Sequence, residues 1–199
     1  MSDFLFPHGG IILDACCVIN LYASGYMKSV LESIPKQVAV TSYVCNVEAH
    51  RIYSGPVEDI TKKTELINLQ SFIDEQLLQV VFPESEAEEN TIVNFSSVAT
   101  LDSGEAITAA IAVHRQLSLG TDDKAAISFF KRNIPQLHVI STLDILKHWA
   151  DTTDPQLGVI SIMLENIQNR ARYKPHYNHH LYAWWKHHRM LNKNRDFLR

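Results

Sequence analysis

Five short apolar runs, at residues 10–14, 37–41, 77–82, 117–121 and 137–140, are separated by longer stretches in which apolar residues recur at helical spacing. Runs of this length suit buried strands, and strands that alternate with helices pair in parallel, because each return crossover needs a helix. The pattern predicts an α/β fold: a parallel sheet with helices on both sides. Ser42 offers an N-cap for a helix carrying Val44, Val47 and Glu48 and stopping near Gly55-Pro56. Residues 57–76 read as a polar surface helix, 103–113 as the most regular helix, 122–132 as another, and Pro155 to Arg172 as an amphipathic one.

A chain of 199 residues is long enough for one well-buried domain and short for two. With 46% hydrophobic and 20% charged residues it has the composition of a folded globule, not of a disordered or fibrous chain. No apolar stretch approaches the roughly 20 residues needed to cross a bilayer, and Met-Ser-Asp-Phe-Leu-Phe-Pro lacks the features of a secretory signal. A cytoplasmic location is the expectation. Cys16, Cys17 and Cys45 are too few and too poorly spaced for a disulfide framework, so they are read as reduced packing residues.

The net charge of −4 conceals a division. From Arg170 onward eight Lys and Arg stand against one acid, a net +7, which leaves −11 on the residues before it. Composition shifts at about residue 173, dividing the chain into a domain at 1–172 and a basic, aromatic and His-rich extension at 173–199. Lys174, Lys186 and Arg189 are candidate phosphate contacts, and aromatic rings beside cations suit single-stranded RNA. Packing of Trp184 and Trp185 on the domain, or across a dimer, is the favoured alternative. The five histidines of the extension lack cysteine partners, which argues against a zinc site.

Four acidic positions fall at the edges of apolar runs: Asp14, Glu48, Glu105 and the pair Asp122-Asp123. In an alternating α/β chain, strand ends and helix starts gather at one edge of the sheet, where open sheets build their sites. Each acid alone has a structural explanation, Asp102-x-x-Glu105 as a capping box and the others as helix caps. Glu48 does not, because a carboxylate well inside a helix beside apolar neighbours is costly unless it is paired or bound to metal. Converging carboxylates need a cation, and an all-oxygen set suits Mg²⁺ or Mn²⁺. Such ions activate water and clamp phosphodiester oxygens, so hydrolysis of a phosphodiester is the implied reaction. Lys124, beside the acidic pair, is a further candidate phosphate contact or a plain exposed cation.

On these residues the chain resembles the PIN-domain ribonucleases, of the kind represented by VapC-type toxins of prokaryotic toxin-antitoxin modules. The matching pieces are Ile-Ile-Leu-Asp14, Val-x-x-Glu48, Asp-Ser-Gly-Glu105-Ala-Ile-Thr-Ala-Ala-Ile-Ala, and Gly-Thr-Asp122-Asp123-Lys-Ala-Ala followed by Val-Ile-Ser-Thr-Leu-Asp-Ile-Leu. The resemblance implies an α/β/α sandwich, Mg²⁺- or Mn²⁺-dependent cleavage of RNA, frequent homodimers, and an antitoxin protein as partner. It also implies that Asp14, Glu105 and Asp122 ligate the metal and that Glu48 and Asp123 complete the catalytic cluster. The chain departs from the family in having Ala15-Cys16-Cys17 where a Ser or Thr is usual, with Asn20 as a substitute, and in its extension. Two other readings stand beside it: a non-catalytic PIN-like RNA-binding or assembly module, and an aspartyl-phosphate hydrolase. The second lacks its Asp-x-Asp pattern, since Cys16 occupies the third position.

Overall fold

The computed structural model describes residues 6–59, 61–156 and 158–196, with side chains up to residue 190. Met1 to Leu5, most of the segment read as non-secretory, and the last three residues of the extension lie outside them. The architecture is α/β, as expected. Strands β1 (Gly10–Leu13), β2 (Gln37–Thr41), β5 (Gln79–Val81), β6 (Ser118–Gly120) and β7 (Val139–Ile140) form one sheet in the order β5-β2-β1-β6-β7, every pair parallel. The chain builds outward from β1 to β5, then returns to lay β6 on the other side of β1. The order reverses between β1 and β6, where Leu13 pairs with Gly120 and the Asp14 amide donates to the Gly120 carbonyl at 2.9 Å.

Side chains alternate across this sheet, so each strand feeds two cores. Ile11, Leu13, Val38 and Val40 pack with helices α1 (Ala15–Ala23), α2 (Met27–Ser33), α7 (Thr142–Thr153) and α8 (Val159–Asn166). Ile12, Ala39, Val81 and Leu119 pack on the opposite face with α5 (Ser103–His114) and α6 (Lys124–Asn133), flanked by Phe95 of α4 (Glu86–Ser96). Burial on both faces is what a parallel sheet requires. The helix α5 comes close because Ala106, Ala109, Ala110 and Ala112 are all fully buried and small.

Two expectations fail between residues 42 and 76. The helix after Ser42 is only a π-helical turn, Val44–Glu48, closed by the Ala49 amide on the Val44 carbonyl. In place of the expected surface helix at 57–76 there is an antiparallel ribbon of β3 (Arg51–Tyr53) and β4 (Thr64–Leu66), then the short α3 (Gln70–Asp74). The alternation exposed–buried–intermediate in Arg51-Ile52-Tyr53 is a strand period, and Gly55-Pro56 breaks any helix continuing from 48. Ile67, Leu69, Phe72 and Ile73 still reach the core, whereas Leu66 is exposed on the ribbon.

The extension is not a separate body. After a loop at 173–181 it forms α9 (Tyr182–Asp196), whose Trp185 is buried in the larger core with Trp184 half-buried beside it. The Ser161 hydroxyl donates to the His188 carbonyl, and Arg189 reaches Gln168 at 3.2 Å and Glu165 at 3.7 Å. No helix among the described residues is long and apolar enough to cross a membrane.

Candidate metal centre

The C-terminal ends of β1 and β6 open into the crevice where the strand order reverses, the place at which open α/β sheets bind ligands. Asp14 follows β1 directly. It sits at the N-cap of α1 yet makes no capping bond to it. Its Oδ2 instead accepts from the Thr121 hydroxyl and the Cys16 thiol, each at 3.2 Å, and the side chain is 5% exposed. Burial pushes its carboxyl above the usual range. The cap explanation for Asp14 is thereby removed. Cys16 and Thr121 supply the hydrogen bonds that a Ser or Thr after the first acid was expected to give.

Glu105 is the third residue of α5 and forms a capping box with Asp102. The Asp102 amide donates to Glu105 Oε2 at 2.9 Å, and the Glu105 amide donates to Asp102 Oδ1 at 2.8 Å. Burial raises Glu105 to about 7; the Asp102 amide opposes this, while the charges of Asp102, Asp14 and Asp123 reinforce it. Glu48 behaves alike: burial, then the charges of Asp102 and Asp14, bring it to about 7 against the Gly104 amide. Its carboxylate lies against the start of α5, filling the space that a Cβ on residue 104 would need, so any side chain there would displace it.

Asp14, Glu48 and Glu105, expected together, are therefore electrostatic neighbours, and Asp102 is the charge common to all three. Sequence reasoning assigned Asp102 only its capping role; the signal for more was its place opposite Glu48, which no one-dimensional pattern carries. Asp123 caps α6 through the Ala126 amide at 2.8 Å and stays exposed at the rim.

Asp122 stands apart from this cluster. Its Oδ1 accepts from the Thr142 amide at 3.1 Å and the Tyr173 hydroxyl at 3.2 Å. Its Oδ2 accepts from Asn20 Nδ2 at 2.9 Å and from the Thr142 hydroxyl. The residue ties α1, β6, α7 and the extension together. To ligate a metal, as expected from the resemblance, it would have to release one of these donors. Asn20, expected as a substitute for the missing Ser or Thr, donates to Asp122.

In composition the cluster of Asp14, Glu48, Glu105 and Asp102 suits a hard divalent cation: Asp14 and Glu105 are buried, Glu48 is half-buried and Asp102 exposed, and Glu48 and Glu105 are raised to about 7 mainly by burial and then by neighbouring acids. Among the described residues, however, the one trio of potential ligand atoms lying within 4.8 Å of one another is Cys16, Cys17 and Asp122. The Cys17 thiol is pushed well above its ordinary value by burial, and the Cys16 thiol is also raised. The three are joined by hydrogen bonds, the Cys17 thiol donating to Asp122 Oδ2 at 3.8 Å and the Asp122 amide donating to the Cys16 sulfur at 3.2 Å, and all three cysteines are free thiols. Among the candidate nucleic-acid contacts, Lys124, Lys174 and Lys186 are exposed, whereas Arg189 is engaged with α8 and its π-helical continuation. No protein-family model matches this chain, and no curated protein is similar enough to place it in a family.

Proposed function

We propose that this protein is a metal-dependent endoribonuclease of the PIN type, with Asp14, Glu48, Glu105 and Asp102 holding a Mg²⁺ or Mn²⁺ ion at the sheet's switch point. The observation that carries the reading is the gathering of Asp14, Glu48, Glu105 and Asp102 at the sheet's switch point, near enough to act on one another's charge, with Asp14 making no capping bond to its helix. Such a cluster binds a cation more tightly than isolated carboxylates do, because the ion relieves repulsion already present in the fold. When bound, the ion supplies an activated water and charge neutralisation at the scissile phosphate. Thr121 and Cys16 hold Asp14 in one orientation, and the Asp102 and Gly104 amides fix the carboxylates of Glu105 and Glu48. Asp123 adds charge at the rim, and Asp122 anchors the loop that carries it. A role as the toxin of a toxin-antitoxin module, with a protein inhibitor and a homodimeric form, belongs to the same proposal.

One observation favours a second reading, a non-catalytic RNA-binding or assembly module: both oxygens of Asp122 are consumed by structural hydrogen bonds. Titration of the purified protein with Mn²⁺, followed by assay of RNA cleavage, separates the two. Saturable binding lost in Asp14→Asn, with cleavage, supports the enzyme; absence of binding favours the module.

A further inference from the structure

Beside the acidic centre lies a cleft of about 600 Å³, bounded by one face of α6, the end of β7 with the start of α7, and the loop of the extension. Its volume is that of a small-molecule or nucleotide site. Lys124, Ile127 and Lys131 recur on α6 at the spacing of a single helix face. The opposite wall brings Lys174 and the ring of Tyr173.

Charge in this cleft is unevenly committed. Asp122 is already engaged by Asn20, the Thr142 amide and hydroxyl, Tyr173 and the Cys17 thiol. Asp144 accepts from the Ser141 amide and hydroxyl and pairs with His180 at 2.7 Å. The lysines are exposed, and neither hydrogen bond nor ion pair engages them among the described residues. Two nearby arginines are used internally: Arg172, just before the extension, lies over the Tyr53 ring at 4.2 Å, and Arg189 is held by α8 and the turn after it. Lys124, Lys131 and Lys174 thus place unengaged positive charge around a cleft whose lining residue Asp122 joins the acidic centre through the Cys16 thiol, which accepts from the Asp122 amide and donates to Asp14.

Ser141, His179 and Asp144 meet in the same cleft, but they do not form a nucleophilic triad. The Leu181 amide donates to His179 Nδ1 at 3.0 Å, so the proton sits on Nε2 and points to the Ser141 hydroxyl at 3.0 Å. A general base needs a lone pair there. The imidazole braces the cleft wall.

We propose that this cleft binds a segment of single-stranded RNA flanking the acidic centre, with its phosphates on Lys124, Lys131 and Lys174 and a base against the half-buried Tyr173. Lysines neutralise the backbone while an aromatic wall accepts any base, the combination expected of sequence-tolerant single-strand binding. The proposal rests on RNA being the substrate of the reading above, but not on its being cut.

The test is binding of a fluorescein-labelled single-stranded RNA of about 12 nucleotides to the full chain in EDTA, read by anisotropy across salt concentrations. The Lys131→Ala/Lys174→Ala variant is compared with wild type and with Lys36→Ala, an exposed change just before β2, at the N-terminal end of that strand. The double variant should bind about tenfold more weakly and lose about 1.4 from the slope of log K against log salt, about 0.7 per phosphate released; Lys36→Ala should match wild type. RNA that binds the double variant with wild-type affinity and slope, or that fails to bind wild type, overturns the proposal. Cleavage is scored separately. Absence of cutting with the binding loss present removes the enzyme and leaves the cleft, and metal-dependent cutting with binding indifferent to the double change removes the cleft and leaves the enzyme.

Discussion

The hydroxyl of Tyr173 donates to Asp122 Oδ1 at 3.2 Å, and so fastens the first residue of the extension to the acid that follows strand β6. Removing that hydroxyl in Tyr173→Phe leaves Asp122 its other donors and costs about 1 kcal/mol, a fall of about 2–4 °C in melting temperature for a chain of this size. Asp122→Ala strands the donors of Asn20, Thr142 and Tyr173 together, at about 1–3 kcal/mol for each buried group left unpaired. Thermal unfolding by circular dichroism should rank Asp122→Ala well below Tyr173→Phe. An Asp122→Ala protein as stable as wild type would return Asp122 to the role of open ligand.

Gly104→Ala tests how Glu48 is held. Alanine is the better helix former by about 1 kcal/mol, yet its methyl group would occupy the space of the Glu48 carboxylate. Glu48 must swing out and lose the Gly104 amide. Calorimetric titration should show Mn²⁺ affinity reduced at least about tenfold, equal to about 1.4 kcal/mol; wild-type affinity would mean that Glu48 takes no part in the centre.

Glu48 and Glu105 also set a pH dependence. An acid whose pKa is raised on folding, here from 4.5 to about 7, holds a proton in the folded state that the unfolded chain has released. Its contribution is complete below 4.5 and is lost as pH rises through about 7, so the metal-free protein loses stability over that window. His138, His179 and His188, held below their ordinary value mainly by burial, act in the opposite sense. The comparison of wild type with Glu48→Gln/Glu105→Gln cancels them. Melting temperatures at pH 5.5 and pH 8 without metal should fall more in wild type, and Mg²⁺ at pH 8 should restore wild type alone.

Trp185 makes the extension part of the core. Replacing it with Ala removes a buried indole and costs about 3–5 kcal/mol. A chain ending at residue 172 should unfold at lower denaturant than the full chain or fail to stay soluble; equal midpoints would show the extension to be dispensable for stability.

The parallel sheet was legible because both of its faces are buried: Ile11, Ile12 and Leu13 must be continuously apolar, and that run has one economical reading. Residues 42–76 were not, because Val44 to Glu48 follows helical spacing for one turn only, and the ribbon at 51–66 is short enough that its alternation hides among exposed polar residues. Among the site residues, Asp14, Glu48 and Glu105 stood out as acids beside apolar runs. Asp102 was masked by its own capping box, and the separation of Asp122 from the others depends on Asn20, Thr142 and Tyr173, up to about a hundred residues distant in sequence.

The most direct test of the proposed activity is cleavage of a labelled single-stranded RNA by the purified full chain with Mg²⁺, with Mn²⁺ and with excess EDTA, run beside Asp14→Asn. Cutting that requires the metal and disappears in Asp14→Asn, with the variant's unfolding curve unchanged in cooperativity, is the predicted result. Cutting that survives either EDTA or the substitution would contradict a carboxylate-held metal, and absence of cutting under every condition would leave the fold without the enzyme proposed for it.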